Sequence, residues 1–69
     1  MKQIVRDFSK KVKEIRLSKK MSQGDVAKIL GVHRTYISGI ERGLTNPSLV
    51  TVEKFAKALK VKVDDLIRK

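Results

Sequence analysis

The stretch SQGDVAKILGVHRTYISGIERG, Ser22 to Gly43, divides at Gly31 into two short segments with apolar residues at helical spacing. Ser22 opens the first. Its hydroxyl can cap the free amides of a helix start, and Asp25, three residues on, is a shorter substitute for the Glu or Gln of a capping box. The helix QGDVAKIL then ends at Gly31, which can take the left-handed conformation that closes a helix. A second helix follows from about Arg34 to Arg42 and is stopped by Gly43. Val26, Leu30, Val32, Ile37 and Ile40 are expected to point inward, and the small Ala27 lets another helix approach closely. Two short helices crossing steeply at a tight turn form a helix-turn-helix, whose second helix is placed for the major groove of DNA. Such corners also occur in proteins that do not bind DNA, so the outer face of the second helix has to be weighed.

That face is unusual for a helix. It carries several short polar side chains and an interior Gly39, a choice that costs about 1 kcal/mol relative to alanine. With about 100° per residue and Ile37 as the inward direction, Ile40 and Tyr36 fall on the inner side or its margin. Arg34, Thr35, Ser38 and Arg42 occupy the exposed arc, with Gly39 at its far edge. Long cationic side chains thus alternate with very small ones. A helix entering a groove about 12 Å wide needs side chains that reach bases and neighbours that leave room for the backbone. Gly39 is expected to give clearance, either against DNA or against the preceding helix. Glu41 lies about 40° from Ile37 on the same wheel, close to the inward side. A lone buried carboxylate is costly, so Glu41 is expected to pair with a cation, and Arg16 is the candidate. Glu41 is then structural and not a DNA contact.

Outward from this core motif, the rest of the chain also reads as helices. Ile4, Val5, Phe8, Val12 and Ile15 share one stripe of a first helix from about Gln3 to Lys19, with Leu17 on the opposite side. LTNPS is the clearest loop, because Asn-Pro marks a turn and Ser48 is a natural cap. A helix from Leu49 to Leu59 places Leu49, Val52, Ala56 and Leu59 on one face with Phe55 beside them. A short last helix is expected around Val63 to Ile67, its acidic first turn (Asp64, Asp65) suited to the helix dipole. The expected fold is an all-α, compact five-helix globule forming a single domain over residues 1–69.

Size and charge narrow the function. A chain of 69 residues is small enough for its stability to be marginal without help. There are no cysteines, and one histidine, His33, cannot build a metal site alone. Neither a metal nor a cofactor is expected, dimerisation is the remaining aid to stability, and absence of Cys fits a reducing cytoplasm. The start MKQIVRDFSKK has no long apolar run, so neither a secretory signal nor a membrane span is expected. Seventeen Lys and Arg against seven Asp and Glu give a formal net charge of +10, which favours a polyanion, nucleic acid before anionic membrane. Three aromatics, Phe8, Tyr36 and Phe55, are too few for a single-strand stacking platform, and with the helix-turn-helix the expected partner is double-stranded DNA. No acid, base or metal cluster surrounds His33, which argues against an enzyme. No pocket for a small-molecule ligand is evident.

The run SQGDVAKILGVHRTYISGIERGLTNPSL resembles the XRE/Cro-type helix-turn-helix of phage repressors, with the serine-glutamine start, the alanine, the turn glycine, the ER-G ending and the NPSL loop. More narrowly, HRTYISGIERG and NPSL look most like the small controller proteins of restriction–modification systems. That resemblance implies a dimeric regulator of transcription in the cytoplasm, associated with the nucleoid, binding a palindromic or pseudopalindromic operator and controlling a restriction–modification operon. It implies roles on matching positions. Gln23 would donate to a phosphate at a helix N-terminus. Arg34 and Thr35 would be the principal base readers, arginine through guanine O6 and N7 and threonine through a thymine methyl. Ser38 would reach a base edge or a phosphate. His33, Tyr36, Arg42, Thr45, Asn46 and Ser48 would lie against the sugar-phosphate backbone. His33 stands where the family carries a capping Ser or Thr, Lys62 where another capping Ser or Thr is common, and Gly39 removes a side chain. The Arg16–Glu41 pair is also what this family supplies.

Alternatives stay open on the residues alone. Tyr36 serves equally as packing at the core margin, Asn46 as the turn before Pro47, and Arg34 as a solvated cation. An antitoxin-like or phage-repressor-like protein with a protein partner would share the same motif, although no extra segment remains to wrap one. For the homodimer, the apolar residues left after the core is assigned, Val63, Leu66 and Ile67, nominate the C-terminal segment as the interface.

Overall fold

The computed structural model describes residues 2–67, with side chains from Val5 onward, so the expected core role of Ile4 lies outside the described residues. Its elements are α1 (Lys2–Ser18), α2 (Gln23–Leu30), α3 (Arg34–Glu41), α4 (Leu49–Leu59) and α5 (Val63–Ile67). All five expected helices are present, and none of the described residues forms a strand. Helix ends differ from expectation by one residue where they differ at all. α3 ends at Glu41, with Arg42 as its cap.

Local chemistry sets these ends. The Ser22 hydroxyl accepts the Asp25 N–H at 2.9 Å, and the Asp25 carboxylate accepts the Ser22 N–H at 2.8 Å, completing the capping box. Those bonds hold the Asp25 carboxyl below the ordinary aspartate range, the Ser22 backbone amide being the main cause. Gly31 closes α2 at φ 70°. Ser48 caps α4 by accepting the Thr51 N–H at 3.1 Å. Two other closures carry no glycine: Lys20 and Lys60 both stand at φ 58°. After each, the next N–H returns to a carbonyl, Met21 to Arg16 at 3.0 Å and Val61 to Ala56 at 2.9 Å. These bonds offset the cost of a left-handed side-chain-bearing residue. Lys62 is not the usual hydroxyl cap, yet its N–H donates to Asp65 at 3.0 Å, so half of a capping box survives at α5.

The core gathers Phe8 and Val12 of α1, Val26 and Ala27 of α2, and Ile37 and Ile40 of α3. Val52, Phe55, Ala56 and Leu59 of α4 join them, with Leu66 of α5. Phe8 meets Phe55 edge to face, centroids 5.7 Å apart. Each large side chain buried here contributes about 1.5–3 kcal/mol. α2 packs on α3 and α4, while α5 closes the other end against α1 and α4. None of the described helices is long and apolar enough to cross a membrane.

Three expected core or interface positions are corrected. Val32 is 39% exposed, because Gly31 turns the chain outward and Val32 is used to return its N–H to Ala27 at 3.0 Å. Leu30 is half-buried against the core edge. Leu49, expected on the inner face of α4, is 71% exposed. It starts the helix, about 90° from the direction shared by Val52, Phe55 and Leu59, so it clears the helices beneath. Leu66 is fully buried in the chain's own core and is not free for a dimer partner, as its place in the sequence had suggested. Val63 is half-buried, and Ile67 is 38% exposed.

Candidate nucleic-acid interface

α3 is held at its two ends by different means. At its start His33 does the capping of the usual hydroxyl: Nδ1 accepts the Thr35 N–H at 3.2 Å. An accepting Nδ1 leaves the ring proton on Nε2, free for an outside acceptor, and makes the Thr35 hydroxyl the donor in its 2.9 Å contact with the same nitrogen. In the middle, Ile37 and Ile40 are buried and fix the inward face.

At the end of α3, Glu41 faces inward and meets Arg16, as the wheel requires. Arg16 Nε donates to Glu41 Oε2 at 2.6 Å, and Nη2 donates to Oε1 at 3.0 Å. The third donor, Nη1, reaches the Met21 carbonyl at 2.8 Å. The two side chains are only 8% and 3% exposed. The hydrogen bond to Glu41 raises the Arg16 pKa, against the opposing effect of burial. A fork-to-fork pair of this kind tethers α3 to α1 and consumes the charge of Glu41 inside the molecule.

Gln23 belongs to the same cluster. Its amide donates to Glu41 Oε1 at 3.2 Å, a contact that residue spacing does not announce. The family resemblance puts this residue at a phosphate, but here its side chain is half-buried, keeping one amide hydrogen and its backbone N–H for any external acceptor. The Ser48 hydroxyl, another expected phosphate ligand, is held by the α4 cap and contacts Thr51 Oγ1 at 3.0 Å.

What remains outside is the face expected from the wheel. Arg34, Thr35 and Arg42 are exposed, and Ser38 and Gly39 are half-exposed. Tyr36 is both things at once: 40% exposed, yet stacked on Phe55 with centroids 6.5 Å apart and planes 28° apart. Beyond Gly43, at φ 70°, the loop leaves Leu44, Thr45 and Asn46 exposed. The clearance at Gly39 is not against α2, since a Cβ there would meet no heavy atom within 4 Å beyond its chain neighbours and its own helix backbone. The exposed Leu44 and Val50 flank the same loop and were not anticipated, because neither belongs to a periodic pattern. Guanidinium donors, small hydroxyls and little apolar surface on a rigid helix suit hydrogen bonding to base edges and phosphates, and the +10 charge supplies long-range attraction.

Comparison with known proteins agrees with this geometry. Residues 12–66 match the family described as Helix-turn-helix. The chain is 54% identical over 61 residues to the control protein C.BamHI of Bacillus amyloliquefaciens, covering 87% of this chain and 75% of that protein. It is similar to the crystal structure of the restriction-modification controller protein C.AhdI from Aeromonas hydrophila, with a TM-score of 0.83, 37% identity, and coverage of 90% of this chain and 94% of that one. A further similar structure is the controller protein C.Esp1396I, a tetramer in complex with its natural 35-base-pair operator, with a TM-score of 0.80, 41% identity, and coverage of 86% and 78%.

Proposed function

The chain belongs to the Helix-turn-helix family, and from that premise we propose that it is a sequence-specific regulator of transcription that binds double-stranded operator DNA as a homodimer and controls a restriction–modification operon. One observation carries the reading. The face of α3 opposite the buried Ile37 and Ile40 presents Arg34, Thr35, Ser38 and Arg42 to solvent, while the Arg16–Glu41 pair removes from that face the acid that would repel phosphate. The kinship with controller proteins, one of them described on its operator as a tetramer, supports both the DNA ligand and the self-association.

In this mechanism Arg34 and Thr35 read bases and Ser38 reaches a base edge. Arg42, Tyr36, Thr45, Asn46, the Nε2–H of His33, and Gln23 and Ser48 through donors left over from their internal bonds set the register on phosphates. One eight-residue helix reads little sequence. Two copies with recognition helices about 34 Å apart read half-sites related by a dyad. The protein does no catalysis, works in the cytoplasm on the nucleoid, and needs residues 1–69 as one domain. The exposed Ile67 and the half-buried Val63 stay the proposed self-association residues.

Selection of bound duplexes from a random pool tests the proposal. An enriched motif with two-fold symmetry, bound with an affinity that falls steeply with salt, is expected. A pool that stays random through selection would overturn it.

A further inference from the structure

Gly39 has no internal reason to be glycine. It lies inside α3, and its φ is not positive, unlike those of Gly31 and Gly43. A Cβ built on it meets no heavy atom within 4 Å, whereas one on Gly43 would touch the Ser9 hydroxyl at 3.6 Å. Neither backbone nor packing therefore demands the missing side chain, and alanine would make the better helix. On the helical wheel Thr35 and Gly39 straddle the direction opposite the buried Ile37, each about 20° from it. With Ile40 buried as well, the outward direction swings toward Thr35 and Arg42, and Gly39 stands half-exposed at the edge of the outer face, one turn from Thr35.

We propose that Gly39 is a specificity-determining position: the absent side chain is a notch at the edge of the outer face of α3 that admits the edge of a base pair in the major groove. The inference rests on the DNA-reading function proposed above and adds a residue that acts by shape. With the notch, α3 seats deeply enough for the neighbouring Thr35 to reach a base edge. Without it, a Cβ at this edge holds the helix away from the floor. Arg34 and Ser38 lie on the opposite flank, where long or small side chains pass beside the bases.

Gly39→Ala and Gly39→Leu separate this from a folding effect. Gly39→Ala should raise the melting temperature by about 4–8 °C. Its affinity for a duplex selected by the wild-type protein should fall at least about tenfold, with a larger loss for Gly39→Leu. Binding to random duplex should stay within about twofold, since phosphate contacts do not need full descent. A Gly39→Ala protein that melts higher and binds the selected duplex as the wild type does would overturn the proposal. Parallel losses on selected and random duplex would do so too, as would a lower melting temperature, which would reveal an internal role. Failure of the wild-type protein to select any duplex is a different result and would refute the function itself.

Discussion

Glu41→Ala is the substitution whose outcome the structure constrains most. It removes the carboxylate that accepts two donors of Arg16, at 2.6 and 3.0 Å, in a pair whose side chains are 8% and 3% exposed. Arg16 is then left as a buried charge with only the Met21 carbonyl, and the Gln23 amide loses its acceptor. Breaking a buried pair from one side costs about 3–5 kcal/mol. The surviving bond to Met21 places the expected loss near the lower end, about 3 kcal/mol. A chain of 69 residues has about 3–10 kcal/mol of stability in all. For a domain of this size, a loss of about 3 kcal/mol lowers the melting temperature by about 12–24 °C. Thermal melts followed by far-ultraviolet circular dichroism, with urea titrations beside them, read this directly. The double substitution Arg16→Met with Glu41→Leu fills the space with apolar groups and should recover most of the loss. At a temperature where Glu41→Ala is still folded, its affinity for a selected duplex should be unchanged within about threefold, because Glu41 faces the core. A melting temperature within about 3 °C of the wild type would refute the reasoning, for it would mean that water already solvates the pair.

Three further outcomes are expected. Arg34→Ala should lose about 1–3 kcal/mol on a selected duplex and less on random DNA, as gel shifts would show; equal losses would reduce Arg34 to a phosphate contact. His33→Ala should cost about 1 kcal/mol of stability by uncapping α3, and His33→Asp should restore it; equal melting temperatures for all three proteins would deny the cap. Asp25 has its pKa below the unfolded value, so it contributes stability above that value and loses it as pH falls through the folded one. Acid melts of Asp25→Asn should therefore be flatter than those of the wild type below about pH 4, and identical slopes would remove the capping box from the account.

Much of this arrangement is legible from residue order because it is local. The Ser22 cap, the Gly31 and Gly43 closures and the Ser48 cap each depend on chemistry within four residues, and periodicity places Ile37 and Ile40. Even the long-range Arg16–Glu41 pair can be inferred, since a carboxylate on an inward face demands a cation. What periodicity cannot supply is how far a neighbouring element extends. Leu49 has the correct spacing, but nothing covers the first turn of α4. Leu66 looks surplus until α5 folds back on α1 and α4 and buries it. Lys20 and Lys60 close helices in a conformation that glycine would have announced and lysine hides. At the candidate interface, the exposed side chains are readable from the wheel. The inward turn of Gln23 to Glu41 and the grip of His33 on Thr35 depend on side-chain torsions that no spacing rule encodes.

The most direct measurement is chemical-shift mapping of the isotope-labelled protein titrated with a duplex it has selected. The largest changes should fall on the amides of residues 34–42 and of the loop at 44–48, with the Arg34 and Thr35 side chains among them. Saturable binding that left those signals in place and moved another surface instead would contradict the assignment of α3 as the element that meets DNA.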